Sequence, residues 1–371
     1  MAGEPEVFRI APGRKRFRWF CGIVALATGV LALVIGIFNP ASFFHAYLFA
    51  ALACLNPALG CLLLAFIHRM TGGTWGHVIA PALGAGQRMV PWTLLFFLPL
   101  FCGLAHLFPW AAPGTLSDQG QVFLAKHPAY FSEPAFIVRA IFYAVIFFVL
   151  LGMARRGIAA AWTGPVGMIL YVIAVYLLSV DWVLSLEPGW SSTGFPVVYM
   201  ASQALSAMAL CIAVTIMAEP KGGTGIEKPQ VWKDIGNLLL GLLMFWAYVA
   251  YAQFLIVWSG NFPKEAVWYL HRNAGSWHYI LIALGVFQLL IPLILLLFSR
   301  VKRRTPSFAA LAGGVLLFQI LYIYWLILPS FRPTRIAFHL LDLLLPLGLG
   351  ALWLFRFLGI APVLIQGKPH V

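Results

Sequence analysis

The sequence predicts an all-α polytopic membrane protein of ten transmembrane helices, arranged as two four-helix bundles plus two flanking helices. Composition gives the first reason. Of 371 residues, 62% are hydrophobic and 9% charged, against about 25% charged in an average soluble domain. The mean hydropathy of +0.92 cannot be reconciled with a water-facing surface. The third observation is that the chain divides into apolar runs of about 20 residues, the length that spans a bilayer core of about 30 Å.

In chain order the ten runs cover residues 19–38, 43–67, 91–107, 135–153, 165–184, 197–217, 237–257, 277–298, 308–328 and 338–357. The first follows a basic segment as a signal peptide would, but it is too long and has no small-residue cleavage site, so it is expected to be retained. Residues 1–18 then form a cytoplasmic segment, 19–357 the membrane domain, and 358–371 a cytoplasmic tail. The stretch from Trp75 to Met89 is expected to be a short interfacial helix broken at Pro81, with an ordered loop as the bland alternative.

The net charge of +13 has a topological origin. With the N-terminus in the cytoplasm, 18 Lys and Arg fall on the cytoplasmic side and six on the other, a positive-inside distribution that places both termini inside. Nucleic acid is thereby excluded as a partner. Cys21, Cys54, Cys61, Cys102 and Cys211 lie in apolar runs with no C-x-x-C pair, so no metal or iron–sulfur site is expected on this chain.

A weak internal repeat appears four spans apart. Phe43, Tyr47 and Ala51 in span two echo Phe195, Tyr199 and Gln203 at span six. Trp110 and Trp258 close spans three and seven, while Asp181 and Trp182 at the end of span five match Tyr324 and Trp325 in span nine. An even offset preserves orientation, so the expected bundles, about 43–184 and 197–328, are parallel repeats.

Ionisable groups at bilayer depth are costly and therefore candidates for function. Arg139, Asp181 and Asp342 lie in the outer leaflet. Arg335, His339 and Asp342, spaced by four and three, would share a helix face if the helix began before Arg335. The bland alternative is an ion pair fixing two helices, Arg139 with Asp181 or with Asp342. His45, His106, His127, His271, His278 and His339, with Asp181, Glu187, Glu133 and Glu265, form an external titratable cluster suited to proton exchange near neutral pH. Asn56, Gln203, Gln253, Gln288 and Gln319 are deep neutral groups, either interhelical hydrogen bonds or a file that orders water.

At HRMTGGTWG (His68 to Gly76), LAHLFPWA (Leu104 to Ala111), DWVLSLEPGWSST (Asp181 to Thr193), FWAYVAYAQFLIVWSGNFPKEAVWYLHR (Phe245 to Arg272) and LYIYWLILP (Leu321 to Pro329), the chain resembles the NrfD-like membrane subunits of bacterial alternative complex III. Within that family it is similar to the ActF group, the quinone-binding subunit 2 of a quinol:cytochrome c oxidoreductase. The resemblance runs through span nine and is most specific from Phe245 to Arg272.

It implies a subunit of the bacterial cytoplasmic (inner) membrane, beside a sister NrfD-like subunit and lipids and beneath an external iron–sulfur protein and c-type cytochromes. Iron–sulfur and haem c groups would sit on those partners, with no covalent cofactor on this chain. The complex oxidises quinol, menaquinol or ubiquinol. The family assigns the main quinol site to the sister subunit, which leaves this chain quinone contact, a proton path or assembly, with no catalytic residue of its own. His106, Arg139, Asp181, His339 and Asp342 are the candidates for an outer proton path or quinone pocket, and Gln203, Gln253 and His271 are secondary. Only Asp181 and His106 of the first set fall within the family motifs. The competing readings are a secondary transporter and a purely structural membrane subunit.

Overall fold

A computed structural model describes residues 12–112, 118–155, 162–188, 190–218, 229–303 and 305–366. Among the described residues every regular element is helical. Ten helical segments among them are long and apolar enough to cross a membrane, so the chain is an all-α, multi-pass membrane protein.

Helix α1 (Pro12–Phe38) is joined to α2 (Pro40–Thr71) by Asn39, whose side chain accepts from the Ser42 amide at 3.2 Å and so caps α2. Pro40, fixed near a helical φ and needing no donor there, completes the start. At 1.5 Å per residue, the 32 residues of α2 reach about 48 Å, beyond the hydrocarbon core. The helix stops at Gly72 and Gly73, with φ of +68° and +100°. That left-handed pair, accessible without strain only to glycine, turns the chain back along α2.

The return crossing is where the structure departs most from the sequence-based expectation. Helices α3 (Thr74–Gln87) and α4 (Val90–Leu95), a 3-10 segment (Leu98–Gly103) and α5 (Leu104–Leu107) form one helical stretch of 34 residues. Thus 75–89 is not a separate interfacial helix. It packs antiparallel on α2, with Gly76 against the His68 ring and Gly86 against Cys61, while Gln87 Nε2 donates to the Cys61 carbonyl at 3.4 Å. Pro81 sits inside α3 without ending it. Small residues facing α2 permit this approach, and they carry little signal in a hydropathy scan.

There follow α6 (Asp118–Lys126), α7 (Glu133–Arg155), α8 (Thr163–Trp182) with a closing 3-10 turn (Leu184–Leu186), α9 (Phe195–Ala218), α10 (Pro229–Ser259) and α11 (Pro263–Asn273). The eighth crossing is α12 (Trp277–Ala283), a π-helical stretch (Leu284–Leu290) and α13 (Ile291–Leu297). Helix α14 (Pro306–Ile327), a 3-10 turn (Leu328–Ser330) and α15 (Leu341–Gln366) complete the described chain.

The centre is the pair α2 and α9, the helices that open the two expected bundles. Across its membrane window 89% of α2 is buried, against 11% for α1 and for α10. Helices α10 and α14 pack on α9, α8 packs on α7 and α2, and α15 fills the space between α1, α2 and α3. At the closest approach of α2 and α9, Gly60 lies directly on the Gln203 backbone carbonyl, leaving no room for a Cβ.

Candidate functional site

A large cavity among the described residues opens at the end of the helices that the charge count predicts to be external. It measures about 840 Å³ and lies between the end of α8, residues 184–188 and 190–194, and the last turns of α10. Its walls are mostly apolar, among them Val180, Leu184, Val197, Val249 and Ile256, with Tyr130, Ser192, Gln253 and Glu265 as polar contributors. Apolar walls with few convergent polar groups, at this volume, are typical of small-molecule sites.

Local sequence explains the placement. Ser192 accepts from the Phe195 amide at 3.2 Å and caps α9, so its hydroxyl is held at the rim. Gln253 reaches across from α10 and donates to Ser192 Oγ at 2.9 Å. Of the secondary sequence candidates, Gln253 is the one that lines this cavity.

Tyr130 connects the cavity to the buried carboxylate of Asp181. Its hydroxyl donates to Asp181 Oδ1 at 3.1 Å. Arg139 holds the same carboxylate through Nη2 to Oδ1 at 2.9 Å and through Nε at 3.0 and 3.1 Å. The guanidinium also donates to the Tyr130 carbonyl at 2.9 Å and lies over the Tyr130 ring at 3.8 Å. Burial first, and then the Asp181 charge, push the Tyr130 hydroxyl above its ordinary range, so it stays protonated and donates. Arg139 and Asp181 therefore pair as α7 with α8, and Asp342 is not part of that pair.

A second ionic cluster lies nearby on α11. Arg272 is fully buried and places Nη1 2.6 Å from Glu187 Oε1. Its remaining donors go to the Leu326 carbonyl (3.2 and 2.8 Å), Ser330 Oγ (2.8 Å) and the Trp268 carbonyl (3.1 Å), and the guanidinium stacks 3.7 Å over the Trp268 ring. His271 Nδ1 sits 3.0 Å from Glu187 Oε2 and Ser330 donates to Oε1 at 2.7 Å. Burial alone would raise the Glu187 carboxyl, but the Arg272 charge and the hydrogen bonds from His271, Ser330 and Arg272 overcome it and hold it at about 2. Burial lowers the Arg272 pKa and the Glu187 charge opposes that, so the pair stays ionised.

The remaining sequence candidates lie elsewhere. Helix α15 begins at Leu341, so Arg335 and His339 stand in irregular chain and the expected helical stripe of Arg335, His339 and Asp342 does not form. Asp342 instead takes Arg332 at 2.6 and 3.3 Å and accepts from the His339 amide at 3.0 Å, closing the start of α15. His339 Nδ1 accepts from the Leu341 amide at 3.3 Å. His106 stacks on Phe44, and its carbonyl is 3.0 Å from His45 Nε2. Gln203 is buried at mid-depth, where its Oε1 accepts from Tyr171. None of His106, His271, His339 and Asp342 lines the cavity.

Three residues of these clusters escape sequence reasoning: Tyr130, Arg272 and Arg332. Arg272 carries a usable signal, since it sits in the aromatic-rich segment WYLHR, where a lone cation needs an acid. Tyr130 and Arg332 carry none, because an exposed-loop position gives no sign of the carboxylate it will meet. No family model matches the chain, and no curated protein sequence matches it.

Proposed function

We propose that this chain is a quinol-contacting, proton-handling subunit of a respiratory quinol:cytochrome c oxidoreductase of the alternative complex III type. In this reading it lies in a bacterial cytoplasmic membrane with both termini cytoplasmic. It stands beside a sister NrfD-like subunit, beneath an external iron–sulfur protein and c-type cytochromes. The observation that carries it is the cavity of about 840 Å³ walled by α8 and α10 and joined through Tyr130 to the Asp181 and Arg139 pair. The motif resemblance supplies the reaction class.

Oxidation of a hydroquinone breaks two O–H bonds and releases two electrons and two protons. The electrons leave to a redox centre on a partner, since the reading gives this chain none. Residues here deal with the ring and the protons. Val180, Val249 and Ile256 hold an apolar ring, and Gln253 and Ser192 offer an amide and a hydroxyl to its oxygens. Tyr130 takes a proton from the ring hydroxyl as it passes its own to Asp181 Oδ1, and Arg139 keeps the recipient carboxylate oriented.

The test uses the tagged chain extracted with whatever accompanies it in its native membrane. Bound haem c and an iron–sulfur subunit in the reduced-minus-oxidised spectrum are expected. In that complex Tyr130→Phe should lower kcat with KM unchanged, while Ile256→Trp, which fills the cavity, should raise KM for quinol. A colourless solitary protein that carries flux in proteoliposomes would overturn the reading in favour of a transporter. Wild-type turnover in both variants would leave the chain only a scaffold role.

A further inference from the structure

The face of α9 that meets its neighbours at mid-depth carries Tyr199, Ser202, Gln203 and Ser206, spaced by three, one and three. These residues span about 10 Å along the helix axis. All four are buried to 1% exposure or less. Across the seam stand Asn56 of α2, Tyr171 of α8 and Gln319 of α14, equally buried. Asn56 Nδ2 donates to Ser202 Oγ at 3.0 Å and Ser206 Oγ at 2.9 Å, Ser202 Oγ donates to Gln319 Oε1 at 2.6 Å, and Tyr171 donates to Gln203 Oε1.

Four polar atoms of this group complete no hydrogen bond among the described residues: Asn56 Oδ1, Gln319 Nε2, and Gln203 Nε2 and the Tyr199 hydroxyl, which approach one another without closing one. Buried polar groups are rarely left unsatisfied, least of all in a membrane, where lipid offers nothing in exchange. What satisfies them must match their chemistry. A cation would need acceptors only and an anion donors only. Here one acceptor, two amide donors and a hydroxyl that does both face one seam.

We propose that the seam between α2, α8, α9 and α14 binds a small cluster of internal water molecules at the middle of the membrane domain. Water both donates and accepts, and a buried water commonly makes about three hydrogen bonds. Along α9 the polar group is flanked by buried apolar residues, Phe195, whose ring stacks on Tyr199 at 6.3 Å, and Ala207, which lies against Gly60 of α2. The seam ties two helices of each expected bundle together, and the cavity chemistry proposed above does not depend on it.

Radiolytic footprinting of the full-length chain in lipid nanodiscs, with H₂¹⁸O exchange, tests this. Radicals formed from bound water oxidise the side chains that hold it, so Tyr171 and Tyr199 should be oxidised despite their burial. Their label should gain ¹⁸O more slowly than that of surface residues. Tyr143, also buried but bonded to Trp182, should stay unmodified. Gln319→Leu should reduce labelling of Tyr199 several-fold, and Ser206→Ala, a smaller change, should reduce it partially. Unmodified Tyr171 and Tyr199 in the wild-type chain would overturn the proposal, as would equal labelling of Tyr143.

Discussion

Arg272 and Glu187, 85 positions apart in sequence, meet at 2.6 Å through a guanidinium that has no exposure at all. The contact ties the chain after α8 to α11, and through Leu326 and Ser330 to the end of α14. Removing the acid leaves a buried cation without its counter-charge. Glu187→Ala is therefore expected to destabilise the fold by about 3–5 kcal/mol, read as a large drop in the thermal midpoint of the detergent-solubilised chain.

The same pair sets an acid limit. The Glu187 carboxyl is depressed from 4.5 to about 2, so its contribution is fully present above the ordinary value and is lost as pH falls toward the folded one. Stability measured by unfolding should be insensitive to this group from pH 7 to about 5 and should decline between about 4.5 and 2. Glu187→Gln should remove that acid-dependent component; an unchanged acid profile in this variant would assign the decline to another group.

Asp181 is sealed between α7 and α8, with Arg139 as its counter-ion. Asp181→Asn keeps the shape and the Tyr130 contact but strands the guanidinium, which retains partial access to solvent. A loss of about 2–3 kcal/mol is expected. The double variant Arg139→Met/Asp181→Leu should recover part of that loss while still abolishing the proposed proton handling, so a comparison of thermal midpoint with turnover separates packing from chemistry.

At the centre, Gly60→Ala should be disproportionately harmful. The added methyl would collide with the Gln203 backbone carbonyl, which no rotamer change can move aside, and such overpacking costs about 3 kcal/mol where nothing can shift. Gly29→Ala, where an added Cβ meets nothing within 4 Å, should leave the yield of folded protein unchanged. Size-exclusion profiles of fluorescent fusions give the comparison directly.

Orientation is checked with reporters. An alkaline phosphatase fused after Asn261 should be active and one fused to the C-terminus inactive, the pattern expected from the excess of Lys and Arg between the other span ends.

The helical class and the ten crossings are legible in the sequence because a water-soluble fold has no use for ten apolar runs of bilayer length. The Arg139 and Asp181 pair is legible only in part: a lone cation at bilayer depth needs an acid, but sequence leaves Asp181 and Asp342 as equal partners, and the structure gives Asp342 to Arg332. Helix starts are not. Arg335, His339 and Asp342 have helical spacing, yet α15 begins only at Leu341 because Asp342 commits its oxygens to Arg332 and the His339 amide. The 75–89 stretch misleads for a different reason: Gly76 and Gly86 govern how closely it packs on α2, and glycine hardly registers in a hydropathy average. The link from the cavity to the buried acid depends on Tyr130, whose meeting with Asp181 spans 51 positions, and periodicity is blind to such distances.

The polar face of α9 also constrains how the protein is made. A helix bearing Tyr199, Ser202, Gln203 and Ser206 on one side enters the bilayer with four groups that lipid cannot solvate. Synthesis proceeds from the N-terminus, so α2, with Asn56 already presented, is in the membrane before α9 leaves the ribosome, whereas Gln319 follows Ser202 by 117 positions. For that interval α9 leans on Asn56 of α2 and Tyr171 of α8. Chain order thus makes the first bundle a template for inserting the second, and the Gly60 contact the first checkpoint of assembly.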